Sequence, residues 1–211
     1  SEEDIIAQVF IFFFGFDTTT TLMQAISFEL ASNSEVQQTL INEVDEMVRE
    51  LNGEKISYDQ LQGMKYLEMV VLEGLRKWPP FRFSERSCNK DYNLVDEDTG
   101  KTYKIEKGMD VLLSIGAIQN DPNFFPEPMK FNPLRFSDGV KNLPFMPFGT
   151  GPRNCIGSRF ALLESKLLLF NIMKTFELVK CEKTLKKLKL SKGSISFAEK
   201  IYVGMKLREK L

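Results

Sequence analysis

The eleven residues Pro147-Phe148-Gly149-Thr150-Gly151-Pro152-Arg153-Asn154-Cys155-Ile156-Gly157 place one thiol in a glycine-rich loop. A cation stands two residues before it and an apolar helical pattern follows from about Ser158. A thiol ligates metal as the thiolate, and a free cysteine with a pKa of about 8.5 is mostly protonated at neutral pH. Three features of the stretch favour the anion: the charge of Arg153, the dipole and free amides of a helix starting near Gly157, and a metal itself, which deprotonates sulfur outright. Gly151 and Gly157 lack a Cβ, so their backbone can lie against a flat ligand and aim amides at the sulfur. A small buried cysteine in a Gly/Pro turn is the plainer alternative.

Composition narrows the chemistry. The 211 residues, 43% of them hydrophobic, fit one globular unit with a sizeable core. A net charge of −1 offers no basic field for nucleic acid or anionic lipid. With no histidine in the chain, imidazole ligation, a Ser-His-Asp triad and a zincin site are excluded. Cys88, Cys155 and Cys181 are too few and too far apart for a disulfide framework, which points to a reducing compartment. Cys88 and Cys181 have no ligand-like neighbours and read as packing residues. No signal peptide opens the sequence. The most apolar run, Val9 to Phe16, falls short of the ~20 residues a bilayer takes, so no membrane anchor is expected in this chain.

Along the chain, Ser1 and Asp4 form a capping box for a helix in which Ile5, Ile6, Val9, Phe10, Phe12, Phe13, Phe14 and Phe16 cover nearly the whole circumference. A buried central helix is expected. Gly15 costs it about 1 kcal/mol relative to Ala, and the hydroxyls of Thr18 to Thr21 can bond back to carbonyls four residues earlier. Ser34 to Arg49 reads as an amphipathic helix stopped by Asn52-Gly53. Ser57 and Gln60 box a short helix, and a longer one runs from about Met64 until Pro79. On it Glu73 and Arg76 share a face, flanked by Val70, Val71, Leu72, Leu75 and Trp78, so a buried pair tied to a third segment is expected. Strand-like runs cover Phe81 to Cys88, Tyr92 to Val95, Thr102 to Ile105 and Val111 to Ile118, with turns at Asp98-Thr99-Gly100 and Lys107-Gly108. The proline-spaced loop from Asp121 to Pro128 is neither helix nor central strand. Ser158 to Phe176 is helical and apolar on more than one face. From about Leu178 short strands are expected, with a hairpin turn at Ser191-Lys192-Gly193-Ser194 and a solvated face of Lys183, Lys186, Lys187 and Lys189.

The spacing Phe148-x-x-Gly151-x-Arg153-x-Cys155-x-Gly157 resembles the haem-binding loop of the cytochromes P450, in which a cysteine thiolate is the axial ligand of iron. Gly15-Phe16-Asp17-Thr18-Thr19 is similar to the family's oxygen-activating helix, and Glu73-Gly74-Leu75-Arg76 to its ExxR pair. Phe131-Asn132-Pro133-Leu134-Arg135-Phe136 is similar to the later segment whose arginine completes a structural triad. The resemblance implies an α+β fold, mainly α with small β-sheets, corresponding to the C-terminal half of the cytochrome P450 fold and forming one partial domain over residues 1–211. It implies haem b held by Cys155, with Phe148, Gly151 and Gly157 bedding it and Arg86 and Arg153 clamping its propionates. Asp17 and Thr18 take the proton-relay role, and Glu73, Arg76 and Arg135 the structural one. Phe14 stands where the family usually has alanine, and Leu134 where it usually has glutamate.

By the same resemblance, one oxygen atom of O₂ enters an apolar small molecule with electrons from an NADPH-cytochrome reductase. The whole protein would sit on the cytosolic face of the endoplasmic reticulum, held by a part outside this chain, and nucleic acid is not a partner. The DYNL, WPP and phenylalanine-rich stretches lean toward insect enzymes of xenobiotic metabolism. Two alternatives stay open: a haem-thiolate isomerase that does not activate O₂, suggested by Phe14, and a truncated haem-binding fragment without catalysis.

Overall fold

The computed structural model describes residues 1–140, 143–189 and 200–209. Among the described residues the regular structure is six α-helices, two 3-10 turns and three two-stranded antiparallel sheets. Helix α1 (Glu2–Ser32) opens with the Ser1/Asp4 capping box, and α2 (Ser34–Leu51) ends on Asn52 in the left-handed conformation, with Gly53 also at positive φ. The short α3 (Tyr58–Gly63) has its Ser57/Gln60 box formed, and α4 (Lys65–Lys77) stops two residues before Pro79. Strands β1 (Ser84–Ser87), β2 (Tyr92–Val95), β3 (Thr102–Ile105) and β4 (Asp110–Leu113) follow, then the single turn α5 (Ile115–Ile118). A 3-10 turn over Pro133–Phe136 and another over Gly151–Arg153 lead to α6 (Ser158–Thr175), β5 (Phe176–Val179) and β6 (Gly204–Leu207). Strand β1 pairs with β4, β2 with β3 and β5 with β6.

The core lies where the second half of α1 meets α2, α4 and α6. Leu22, Ile26 and Leu30 pack with Leu40, Val44, Leu67, Val70, Leu75, Leu169, Phe170 and Met173, all at most 3% exposed. Burying each such side chain contributes about 1.5–3 kcal/mol relative to leaving it in water. The α1–α4 crossing is close because Gly74 has no side chain: a Cβ there would lie 2.6 Å from Ile26 Cγ1 and 2.9 Å from its Cδ1. A smaller cluster joins Ala25, Phe28, Trp78 and Leu188, beneath which the Glu29 carboxylate accepts from Trp78 Nε1 at 2.7 Å and pairs with Lys77 Nζ at 2.7 Å.

Four expectations need correction. The first half of α1 is helical but not buried: Phe12, Phe13 and Phe16 are each more than 70% exposed, and no described residue joins residues 5–16 to the core clusters. An all-round apolar pattern states what a helix requires, and this chain supplies cover only from Thr19 onward. By length and composition the 31-residue α1 is also sufficient to cross a bilayer, which the Val9–Phe16 run alone understated; its second half packs inside the fold. The run from Val111 to Ile118 is two elements. Gly116 N–H donates to Arg82 O at 2.9 Å and Gln119 N–H to Ile115 O at 2.9 Å, so tertiary contact turns a β-branched sequence into a helical turn. Cys181 is exposed rather than packed. The expected turn at 191–194 lies outside the described residues.

Candidate functional site

The loop before α6 is built by its glycines. Gly149 (φ 75°) and Gly151 (φ 76°) occupy a backbone region that side chains disfavour, and around Gly151 nothing stands within 4 Å of where a Cβ would be. Gly149 N–H donates to Met146 O at 3.0 Å, Asn154 N–H to Gly151 O at 3.1 Å, and Cys155 N–H to Phe148 O at 2.9 Å. These bonds fold the loop back on itself and leave the Cys155 thiol exposed. Its Sγ lies 3.9 Å from the position of a Cβ on Gly157, the N-cap residue of α6. No side chain caps α6, so its first-turn amides and the positive end of its dipole stand beside the sulfur without a side-chain acceptor.

This arrangement fits a haem. A solvent-facing thiol beside free amides, an unfilled glycine surface, and half-buried Phe148 on the inner side are what a flat macrocycle with a thiolate ligand requires. Arg153 is exposed and makes no hydrogen bond or ion pair among the described residues, so its guanidinium is available to a carboxylate. Arg86 is exposed on β1 and folds over locally, with Nη1 donating to Ser84 Oγ (2.9 Å) and Glu85 O (2.7 Å).

The residues expected on the oxygen side stand on the uncovered part of α1. Thr18 Oγ1 donates to Phe14 O at 2.9 Å, with Gly15 O at 3.3 Å, which is the back-bonding expected of a helix threonine. Asp17 is exposed and makes no hydrogen bond or ion pair among the described residues, and Phe14 leans on Phe10 with ring centroids 6.1 Å apart. No hydrogen bond or ion pair joins Asp17, Thr18 or Arg86 to the Cys155 loop among the described residues. A largely apolar groove of about 570 Å³ is lined by Phe16, Thr19, Thr20 and Met23 of α1 and Leu168 and Ile172 of α6, among others, and no residue of 147–157 lines it.

Glu73 and Arg76 are wholly buried and doubly bonded, Nε to Oε2 at 2.7 Å and Nη2 to Oε1 at 2.9 Å. Arg76 also donates to Gln119 O (2.9 Å) and Pro128 O (2.7 Å), and Asn132 N–H donates to Glu73 Oε1 (2.9 Å). The third segment expected for this pair is therefore mostly backbone of residues 119–132. Arg135 is nearby, its Nε 3.5 Å from Glu73 Oε1 but without a hydrogen bond there, and its Nη2 donating to Glu127 O at 2.8 Å.

The sequence reading missed Gln119. Its side chain is wholly buried and reaches both α4 and the segment before the cysteine loop, donating to Leu75 O and Arg76 O and accepting from Met146 N–H. The signal available was slight: one amide at the end of an apolar run, whose burial obliges it to find partners.

The family model described as Cytochrome P450 matches residues 1–203. Cytochrome P450 9e2 of Blattella germanica is 44% identical over 196 residues, covering 90% of this chain and 36% of its own length. Probable cytochrome P450 9f2 of Drosophila melanogaster is 43% identical over 189 residues, 87% of this chain and 36% of that protein. Cytochrome P450 3A19 of Capra hircus aegagrus is 41% identical over 194 residues, 90% of this chain and 85% of that sequence. The chain thus spans little more than a third of the insect relatives it matches.

Proposed function

This chain belongs to the cytochrome P450 family, and from that premise we propose that it is the haem-bearing part of a haem-thiolate monooxygenase, one partial domain over residues 1–211. The observation that carries this reading is the exposed Cys155 thiol at the uncapped start of α6, in a loop where Gly151 leaves open space at its Cβ position.

In this reading Cys155 ligates the iron of haem b, Phe148, Gly151 and Gly157 bed the ring, and Arg86 and Arg153 hold the propionates. Bound there, the haem would supply the oxygen chemistry: with two electrons from NADPH through a flavoprotein reductase and two protons, one atom of O₂ would enter an apolar substrate and the other would leave as water. The chain's own part is electrostatic and structural. The uncapped first-turn amides of α6 and the exposed Arg153 guanidinium would face the bound thiolate with donors and positive charge. Asp17 hands protons inward, and Thr18 can pass them on only by releasing the Phe14 carbonyl that now holds its hydroxyl. Glu73, Arg76 and Arg135 keep the segment beneath the loop in place. Similarity to insect members favours a lipophilic foreign compound as substrate and the cytosolic face of the endoplasmic reticulum as location.

For the 211-residue chain by itself, the exposed first half of α1 and the exposed thiol favour haem binding without turnover. Haemin titration with an NADPH-oxidation assay, reductase present, tests both parts on this chain and on a longer chain that includes it. Saturable binding lost in Cys155→Ala supports the ligand assignment, and NADPH use by the longer chain supports the oxygenase. Substrate conversion without NADPH or O₂ consumption would replace the oxygenase with the rearranging enzyme that Phe14 suggests.

A further inference from the structure

Gln119 connects the buried ion pair to the thiol loop by a continuous chain of bonds. Its Nε2 donates to Leu75 O (3.1 Å) and Arg76 O (3.2 Å), two carbonyls of the last turn of α4 that have no helical partner of their own. Its Oε1 accepts from Met146 N–H at 2.9 Å, and its own carbonyl takes Arg76 Nη1 at 2.9 Å. Met146 O in turn accepts from Gly149 N–H at 3.0 Å, and Phe148 O from Cys155 N–H at 2.9 Å. One wholly buried side chain therefore holds the end of α4 with its donor and the entry to the cysteine loop with its acceptor.

We infer that Gln119 is a positioning residue for the Cys155 thiolate, setting the height of the loop above α4. The inference rests on the haem-thiolate reading only for what the loop holds; the geometry is a property of the chain without haem. The physical ground is that a ligand loop exposed to water has few contacts of its own, so its placement depends on the shell behind it. A side chain serving this role must offer a donor at one end and an acceptor at the other. Methionine of similar length offers neither, whereas neutral imidazole offers both.

The test compares wild type with Gln119→Met and Gln119→His, first without haem by amide hydrogen exchange, then after reconstitution with haemin. In Q119M the peptides covering Met146 to Cys155 should lose about ten-fold in protection while α2 keeps its own, and Q119H should recover most of the loss. With haemin, Q119M should hold the group about ten-fold more weakly and show a smaller thiolate-type share in its CO-bound Soret band. Unchanged loop exchange in Q119M overturns the inference, as does an equal loss in α2, which would make Gln119 a general stabiliser. If Q119M does not fold, Q119H decides by itself: protection within two-fold of wild type supports the role and its loss overturns it. A wild-type chain that takes up no haemin would contradict the haem reading and leave the exchange result standing.

Discussion

Replacing Glu73 by Gln strands the wholly buried Arg76 guanidinium, which has no other ion-pair partner among the described residues. Such a change costs about 3–5 kcal/mol, because the desolvated cation keeps its penalty and loses its partner. Arg135→Gln removes a 3.5 Å contact with Glu73 that carries no hydrogen bond, together with one bond to Glu127 O, and should cost less, about 1–2 kcal/mol. Urea unfolding of both variants measures the difference; near-equal losses would mean that Arg135 carries as much of the tie as Arg76. The pair was legible because two charges three apart amid Val70, Leu72 and Leu75 cannot be solvated. That its partners are mainly backbone groups of residues 119–132 was not legible, since an amide or carbonyl leaves no mark in a sequence. Cys181 shows the same limit: it reads as packing but is exposed, and the Thr184 hydroxyl and nearby amides hold its thiol below the usual range. A lowered pKa means thiolate persists to lower pH, so iodoacetamide should modify Cys181 at a lower pH than an unperturbed thiol. Thr184→Val should move the midpoint of that rate profile upward, and an unmoved midpoint would count against the hydrogen bond.

At the scale of elements, the α1–α4 crossing depends on one missing methyl group. Gly74→Ala places a Cβ 2.6 Å from Ile26 Cγ1, inside a packed core, and should destabilise by about 1–3 kcal/mol. Ile26→Ala removes the obstructing atoms, so the double variant should lose less than the sum of the singles, by about 0.5 kcal/mol or more. Strict additivity in denaturation would deny the close approach. Helix ends were readable because caps are local chemistry: Ser1/Asp4, Ser57/Gln60 and Asn52-Gly53 all act within a few residues. The run from Val111 to Ile118 was misread because the Arg82 carbonyl that captures Gly116 is far away in sequence. The exposure of α1 before Thr19 could not be read from periodicity, which reports a helix's preference and not its neighbours. Amide exchange should divide α1 accordingly, fast from Ile5 to Phe16 and slow from Leu22 to Leu30.

For the whole molecule, the outer half of α1 joins exposed Phe81, Phe83, Leu112 and Phe160 in presenting far more apolar surface than a soluble monomer tolerates. The isolated chain should therefore self-associate, and Phe12→Lys with Phe13→Lys should shift sedimentation toward monomer; a wild-type chain monomeric at high concentration would contradict the described surface. The family match covers residues 1–203, and the chain spans little more than a third of the length of the insect relatives it matches. The Cys155 loop and the Gln119 shell behind it both lie within this chain, so the proposed thiolate ligation can be tested on it directly. The direct measurement is a reduced-plus-CO difference spectrum of the chain reconstituted with haemin, beside Cys155→Ala. A thiolate-type Soret band in the wild-type chain that disappears in the variant is expected; the same band in both, or in neither, would contradict ligation by Cys155.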